Sequence, residues 1–209
     1  AAFAAVALLG AGFAGAGHLT TLAEGWLYAD DIIHAETTPY QRIVVTRWRD
    51  DVRLFLNQNL QFSSHDEYRY HEALVHPALA TLPQARRVLV LGGGDGLALR
   101  EILKYSNIES IVLVDLDPAM TRLFSSASLL RRLNGDAFAS PKVKVVNADA
   151  ARWLEEADES FDFIVADFPD PTSHSIGKLY STGFYRLLEK RLTPRGWLVV
   201  QATSPYYAR

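Results

Sequence analysis

Apolar and polar positions change rhythm twice along the chain. Residues Ala1 to Ala23 are almost continuously apolar and contain no Asp, Glu, Lys or Arg. As a helix this run would span roughly 35 Å at 1.5 Å per residue, about one bilayer core. Gly10, Gly12, Gly15 and Gly17 suit close helix–helix contact in lipid. The segment predicts an N-terminal transmembrane helix, the last of several. A signal peptide would need a basic n-region, which is absent. A buried soluble helix is the remaining alternative. From Trp26 to about Phe62 the texture becomes short and β-branched. Arg42–Trp48 and Val52–Leu56 read as strands, with Asp50-Asp51 and Asn57-Gln58-Asn59 as turns. A small antiparallel sheet of hairpins is expected there.

After Tyr70 the period becomes that of a helix, up to Leu82, and an α/β alternation follows. Strands are predicted at Arg87–Leu91, Ser110–Asp115, Val143–Asn147, Phe161–Asp167 and Gly196–Ala202. Helices are predicted at Leu97–Tyr105, Pro118–Phe124, Ala150–Glu156 and Leu179–Leu192. Near-continuous apolar strands alternating with helices imply a parallel sheet covered on both faces. The expected fold is therefore α/β, a Rossmann-like doubly wound parallel sheet. The chain divides into 1–23 (end of a transmembrane region), 24–70 (small β domain) and 71–209 (nucleoside-binding domain).

Apolar residues make up 49% of the chain and charged residues 22%, so a packed core is expected rather than disorder. The net charge is −3 and no basic stripe stands out, which argues against a nucleic-acid partner. Cysteine is absent, which excludes thiolate metal sites and cysteine nucleophiles. No metal site and no tightly bound cofactor are expected. Met120 is the only methionine, and the last residues follow directly on a predicted core strand. The sequence reads as a piece of a longer chain.

The candidate chemistry gathers at predicted strand ends. The first strand runs into Gly92-Gly93-Gly94-Asp95-Gly96, a turn that would let a ligand approach backbone amides and a helix N-terminus. A tight turn without a ligand is the bland alternative. The dinucleotide fingerprint fits poorly, because Leu97 or Leu99 stands where its last glycine belongs. Asp115 closes the second strand, 20 residues past Asp95. A carboxylate there can accept both hydroxyls of a ribose; capping the helix at Pro118 is its other reading. An adenosine ligand such as an S-adenosyl compound fits better than NAD. Asp149 follows the third strand, where it can meet the adenine amine, cap the next helix, or both. Asp167-Phe168-Pro169-Asp170-Pro171 ends the fourth strand, at the edge where open α/β sheets bind ligands. A plain surface turn is the alternative. Asp95 would repel the carboxylate of S-adenosylmethionine and attract a tail bearing only an ammonium. With Asp167, Asp170 and Glu72 it describes an acidic site suited to a cationic cosubstrate such as a diamine.

Taken together these segments resemble the spermidine synthases, the polyamine aminopropyltransferases, from about Tyr28 to Gln201. The motifs are Thr38-Pro39-Tyr40-Gln41, Leu60-Gln61, Asp66-Glu67-Tyr68-Arg69-Tyr70-His71-Glu72, the glycine loop, Val114-Asp115-Leu116-Asp117, Asp167-Phe168-Pro169-Asp170-Pro171, and Leu179-Tyr180 with Phe184-Tyr185. The apolar N-terminal run resembles the membrane region fused to some bacterial members. The resemblance implies that Gln41 and Asp115 contact the nucleoside, and that Asp149 and Ala150 line the adenine. It implies that His71 and Asp95 face the amine-bearing chains and that Gln61 and Tyr70 line the same pocket. Asp167 would accept the proton and Asp170 would bind the diamine. Asp115 and Ala150 depart from the Glu and Gly usual in the family. A further diamine-binding tyrosine and the final strands of the family would fall beyond Arg209.

The implied reaction moves an aminopropyl group from decarboxylated S-adenosylmethionine, the cosubstrate, to a diamine such as putrescine. Spermidine and methylthioadenosine are the products. Expected partners are the two small molecules, the membrane and a second copy of the chain, with the catalytic domain on the cytoplasmic side of a multi-pass membrane protein. Two rivals stand beside this reading. One is an S-adenosylmethionine-dependent methyltransferase on the same sheet. The other is a non-catalytic, membrane-anchored polyamine or nucleoside sensor.

Overall fold

The computed structural model describes residues 27–170 and 174–202, together with Val6 and Gly25. The predicted transmembrane segment Ala1–Ala23 therefore lies, Val6 apart, outside the described residues. Among the described residues no helix is long and apolar enough to cross a membrane. They divide into two compact units, one within 1–37 and 41–65, the other within 38–40 and 66–209.

The first unit is an antiparallel meander of β1 (Asp31–Thr37), β2 (Arg42–Trp48), β3 (Asp51–Leu56) and β4 (Asn59–Ser63), in that spatial order. The expected small antiparallel sheet is present, with β1 and β4 added to the strands that the pattern marked. Asn57 and Gln58 join β3 to β4 with φ of 49° and 69°. Left-handed backbone at both positions matches the twist of a two-residue hairpin, and Asn tolerates it best after glycine. Asp51, expected in a turn, instead opens β3 and is buried. It accepts from Arg53 Nε (2.6 Å), Ser63 Oγ (2.7 Å) and Ser64 Oγ (3.1 Å). Burial pushes its pKa upward, but these bonds and the Arg53 charge prevail and hold it below the usual carboxylate range.

The second unit begins with α1 (Glu67–Leu79), so the sequence-based boundary at 70/71 falls inside a helix. Then come β5 (Arg87–Gly92), α2 (Leu97–Ile102), β6 (Ser110–Asp115), α3 (Pro118–Ser126), α4 (Ser128–Leu133), β7 (Val143–Asn147), α5 (Ala150–Glu156), β8 (Phe161–Asp167), the short α6 (His174–Gly177), α7 (Thr182–Arg191) and β9 (Leu192–Val200). The strand order is β7-β6-β5-β8-β9 and every pairing is parallel. This is the doubly wound sheet that the pattern predicts, with Arg87–Leu91 in its centre.

The continuous apolar runs have a simple cause. Val88, Val90, Ile111, Leu113, Phe163 and Val165 pack on one face with α1 and α2. Leu89, Leu91, Val112, Val114, Ile164 and Ala166 pack on the other with α5 and α7. Alternate side chains point to opposite faces, so a strand buried on both must be apolar throughout.

Several boundaries differ from expectation, among them those of α2, α7 and β9. Helix α2 stops at Ile102 because Lys104 N and Tyr105 N bond only three residues back, to Glu101 O and Ile102 O. Helix α7 starts at Thr182, not Leu179, because the Ser181 hydroxyl caps Phe184 N at 3.2 Å. Strand β9 lies at Leu192–Val200 rather than Gly196–Ala202.

Candidate active site

The chain crosses from one half of the sheet to the other at β5. Its carboxyl end lies between those of β6 and β8, which is the topological switch point of this strand order. Gly92 ends β5 in register with Asp167 at the end of β8. Gly92 has φ of +79°, and a Cβ there would collide with the Asp167 backbone carbonyl oxygen. Only glycine meets both demands. A Cβ on Gly94 would stand 2.6 Å from Asp115 Oδ2, so the loop closes over that carboxylate. Gly93 and Gly96 complete the turn, with Gly96 N bonded to Gly93 O at 2.9 Å.

Asp115 accepts from Asp117 N at 2.9 Å and from the Gly94 amide. Burial, followed by the nearby Asp95 charge, still pushes its pKa up to about 6. The cap of α3 is Asp117, which accepts from Ala119 N at 3.0 Å and from the Thr38 hydroxyl at 2.8 Å. The capping alternative considered for Asp115 thus belongs to its neighbour. Thr38 through Tyr40 group with this second unit.

Asp95 turns one carboxylate oxygen to Leu97 N at 2.9 Å, at the start of α2. Burial holds its pKa above the ordinary carboxylate value, against the pull of the His71 charge. Asp167 is half-buried and accepts a hydrogen bond from the Tyr70 hydroxyl. Burial, then repulsion from Asp95, pushes Asp167 up to about 6, opposed by His71 and the Tyr70 bond. Burial, then the Asp167 charge, drives the Tyr70 phenol upward, so it stays a donor at neutral pH. Asp95, Asp115, Asp167, Tyr70 and His71 thus form one coupled electrostatic group at the carboxyl edge of the sheet.

Asp170 follows on the same loop, within reach of Gln201 Nε2 at 3.4 Å. Tyr180, in the turn before α7, fixes that loop by bonding Phe168 O (3.2 Å) and Pro169 O (3.1 Å). Burial and the Asp170 charge raise its phenol to about 12. Asp149 caps α5 through Arg152 N at 3.1 Å and pairs with Lys178 Nζ at 2.6 Å. Ala150 is the first, buried residue of α5. The β7 end is tied to the β6 end by Ala148 N to Asp115 O at 3.0 Å. Gln41 and Gln61 belong to the first unit. Gln41 directly precedes β2, and Gln61 is exposed on β4 with its amide donating to Asn59 O at 3.0 Å.

Glu72 does not add to the acidic group as expected. It is exposed and clusters with His76 and Glu101. The Glu101 carboxylate there is already taken by Arg100 Nε (2.8 Å), Lys104 Nζ (2.5 Å) and His76 Nε2 (2.9 Å). Sequence reading assigned no role to Glu67, Arg100 or Tyr180. For Glu67 a signal existed, since it stands four residues before His71 on one helix; for Arg100 there was none.

Known proteins resemble this chain in sequence and in fold. The chain matches the spermine/spermidine synthase domain over residues 67–209. It is 62% identical over 202 residues to a polyamine aminopropyltransferase 2 of Ralstonia nicotianae, covering 97% of this chain and 40% of that protein. It is 54% identical to a polyamine aminopropyltransferase of Leptospira interrogans, covering 97% of this chain and 41% of that protein. The chain spans about two-fifths of the length of these curated relatives. A crystal structure of spermidine synthase with the transition-state analogue AdoDATO superposes with a TM-score of 0.79 at 28% identity, covering 85% of this chain and 60% of that one.

Proposed function

The chain belongs to the spermine/spermidine synthase family, and on that premise we propose that it transfers an aminopropyl group from decarboxylated S-adenosylmethionine to a diamine such as putrescine. The observation that carries this reading is Asp167. It stands at the switch point opposite Gly92, is held by Tyr70, and has its pKa raised to about 6. A sulfonium makes its neighbouring propyl carbon electrophilic. The amine nitrogen attacks that carbon, the carbon–sulfur bond breaks, and sulfur leaves as the neutral thioether of methylthioadenosine. The attacking amine must first be neutral, although an aliphatic ammonium titrates near 10. Asp167 takes its proton, and Asp170 holds the far ammonium. Asp115 serves the ribose, and Asp149 with Ala150 the adenine side. His71 and Asp95 face the amine-bearing chains, and Tyr70 lines the same pocket. Alignment of the reactants supplies most of the rate, because the sulfonium arrives already activated.

The acidic group favours a cationic cosubstrate over S-adenosylmethionine, which argues against methyl transfer. The apolar run Ala1–Ala23 supports the membrane-fused type, a multi-pass protein with this domain on the cytoplasmic side where both substrates would be met. A homodimer is the proposed assembly. The test is to incubate the full-length protein with each nucleoside and several amines and to identify products by mass spectrometry. Methylthioadenosine and spermidine are expected in equal amounts. A methylated amine would establish the methyltransferase instead; binding without any product would establish the sensor. For the membrane assignment, the full-length protein should pellet with membranes from expressing cells. Recovery as a monodisperse species in plain buffer refutes it.

A further inference from the structure

Glu67 on α1 and Arg100 on α2 bring further charge within electrostatic reach of Asp95. Glu67 and His71 sit one turn apart on α1, both buried, with side chains 4% and 3% exposed. The guanidinium of Arg100, on α2, grips both oxygens of Glu67, at 2.8 Å and 3.0 Å. The same guanidinium donates to Glu101 Oε1 at 2.8 Å and to Leu133 O at 2.9 Å. Such a fork leaves the Glu67 carboxylate little freedom to turn. Burial works against its charge, but the bonds to His71 and Arg100 prevail and hold its pKa below the usual range.

His71 Nδ1 lies 2.8 Å from Glu67 Oε2 and 2.9 Å from Glu67 O. A carbonyl oxygen and an ionised carboxylate can only accept. Nδ1 must therefore carry a hydrogen in every protonation state of the ring, and Nε2 is the nitrogen left to titrate. The ring is further seated by an edge-on contact with Tyr70, centroids 4.8 Å apart at 89°. Tyr70 in turn donates to Asp167.

We propose that Glu67, clamped by Arg100, is a positioning residue for aminopropyl transfer: it locks the His71 ring and tautomer so that Nε2 is the nitrogen available to the substrate chains. The proposal rests on the functional reading above and deepens it. His71 lies within electrostatic reach of Asp95 and Asp167. A ring free to flip would present either nitrogen there, and a fixed ring presents one. The arrangement follows the general logic by which a buried carboxylate sets the tautomer of a working histidine.

The test is a double-mutant cycle in the full-length protein with Glu67→Gln, His71→Ala and the combined variant. Each single change should lower kcat/KM for the amine by about ten- to hundred-fold, the scale of one charge-assisted hydrogen bond. The combined variant should be no slower than His71→Ala alone, because Glu67 acts only through His71. Losses that multiply overturn the proposal, since they show Glu67 acting on the fold or on another group. A second measurement is independent of whether Glu67→Gln folds. Nitrogen–proton correlation NMR of the histidine-labelled, unmutated protein should find neutral His71 protonated on Nδ1. A proton on Nε2 overturns the proposal even if transfer is normal. An unmutated protein with the expected tautomer and no transfer activity overturns the functional reading instead, so the two failures are distinguishable.

Discussion

Replacing Asp167 by asparagine separates catalysis from binding and from stability. Asparagine keeps the shape and an oxygen to accept from Tyr70. It removes the charge and the basicity. An ordinary aspartate titrates near 3.9, whereas Asp167 is raised to about 6, which makes it a stronger base by roughly two orders of magnitude. General-base catalysis typically contributes about 10² to 10⁴ in rate, so kcat should fall by that order while nucleoside affinity is kept. The sign of the pH dependence follows. Asp167 is protonated below its raised pKa, so turnover of the unmutated enzyme should be present above about pH 6 and lost as pH falls through it. Stability should move the other way. A carboxylate whose folded pKa is raised penalises the folded state once pH exceeds its unfolded value near 3.9, and the full penalty applies above about pH 6. Two pKa units correspond to about 3 kcal/mol as an upper bound, which solvent at this half-buried site will reduce. Asp167→Asn should therefore melt at or above the temperature of the unmutated protein at pH 7, and below pH 4 the difference should vanish. Single-turnover kinetics, calorimetry with the nucleoside and thermal melts at both pH values are the measurements. Unchanged turnover of putrescine, or a melting point lowered by several degrees, refutes the reasoning.

Asp170→Asn should raise the amine KM with a smaller effect on kcat, because it removes a charge partner and leaves the proton acceptor in place; initial-rate kinetics over a range of amine concentrations decide this. Gly92→Ala should destabilise the protein by at least about 1–2 kcal/mol, because it forces left-handed backbone on a residue with a Cβ and drives that atom into Asp167 O. Chemical denaturation checks it, and an unchanged midpoint contradicts the loop geometry. Decarboxylated S-adenosylmethionine should bind more tightly than S-adenosylmethionine, and Asp95→Asn should narrow the gap; equal affinities by calorimetry in the unmutated protein remove the electrostatic argument.

Much of the fold was legible because local patterns report local demands. Val88 to Leu91 are all fully buried, and an uninterrupted apolar run is what a strand covered on both faces requires. The glycine turn was legible for a similar reason, since backbone with positive φ and no room for a Cβ narrows the choice to one residue. The strand ends bearing Asp115 and Asp167 followed from the alternation. The start of α7 was missed because apolar spacing ran through Ser181, whose role as a cap depends on its hydroxyl turning back to Phe184 N.

What the sequence by itself determined is the class of fold and the strand ends at which its acidic residues would stand. Which acid caps a helix and which accepts from a distant side chain was decided only by the tertiary structure. Spacing along the chain could not assign the α3 cap to Asp117 rather than Asp115, nor show that Asp51 leaves its turn to become a buried acceptor. It could not bring Tyr70 to Asp167, 97 residues away, or Arg100 to Glu67 across α1 and α2. Periodicity records which side of an element faces the core. The partners of a buried polar group are set by strand order and helix packing, which bring distant segments together and then require every buried donor and acceptor to be matched.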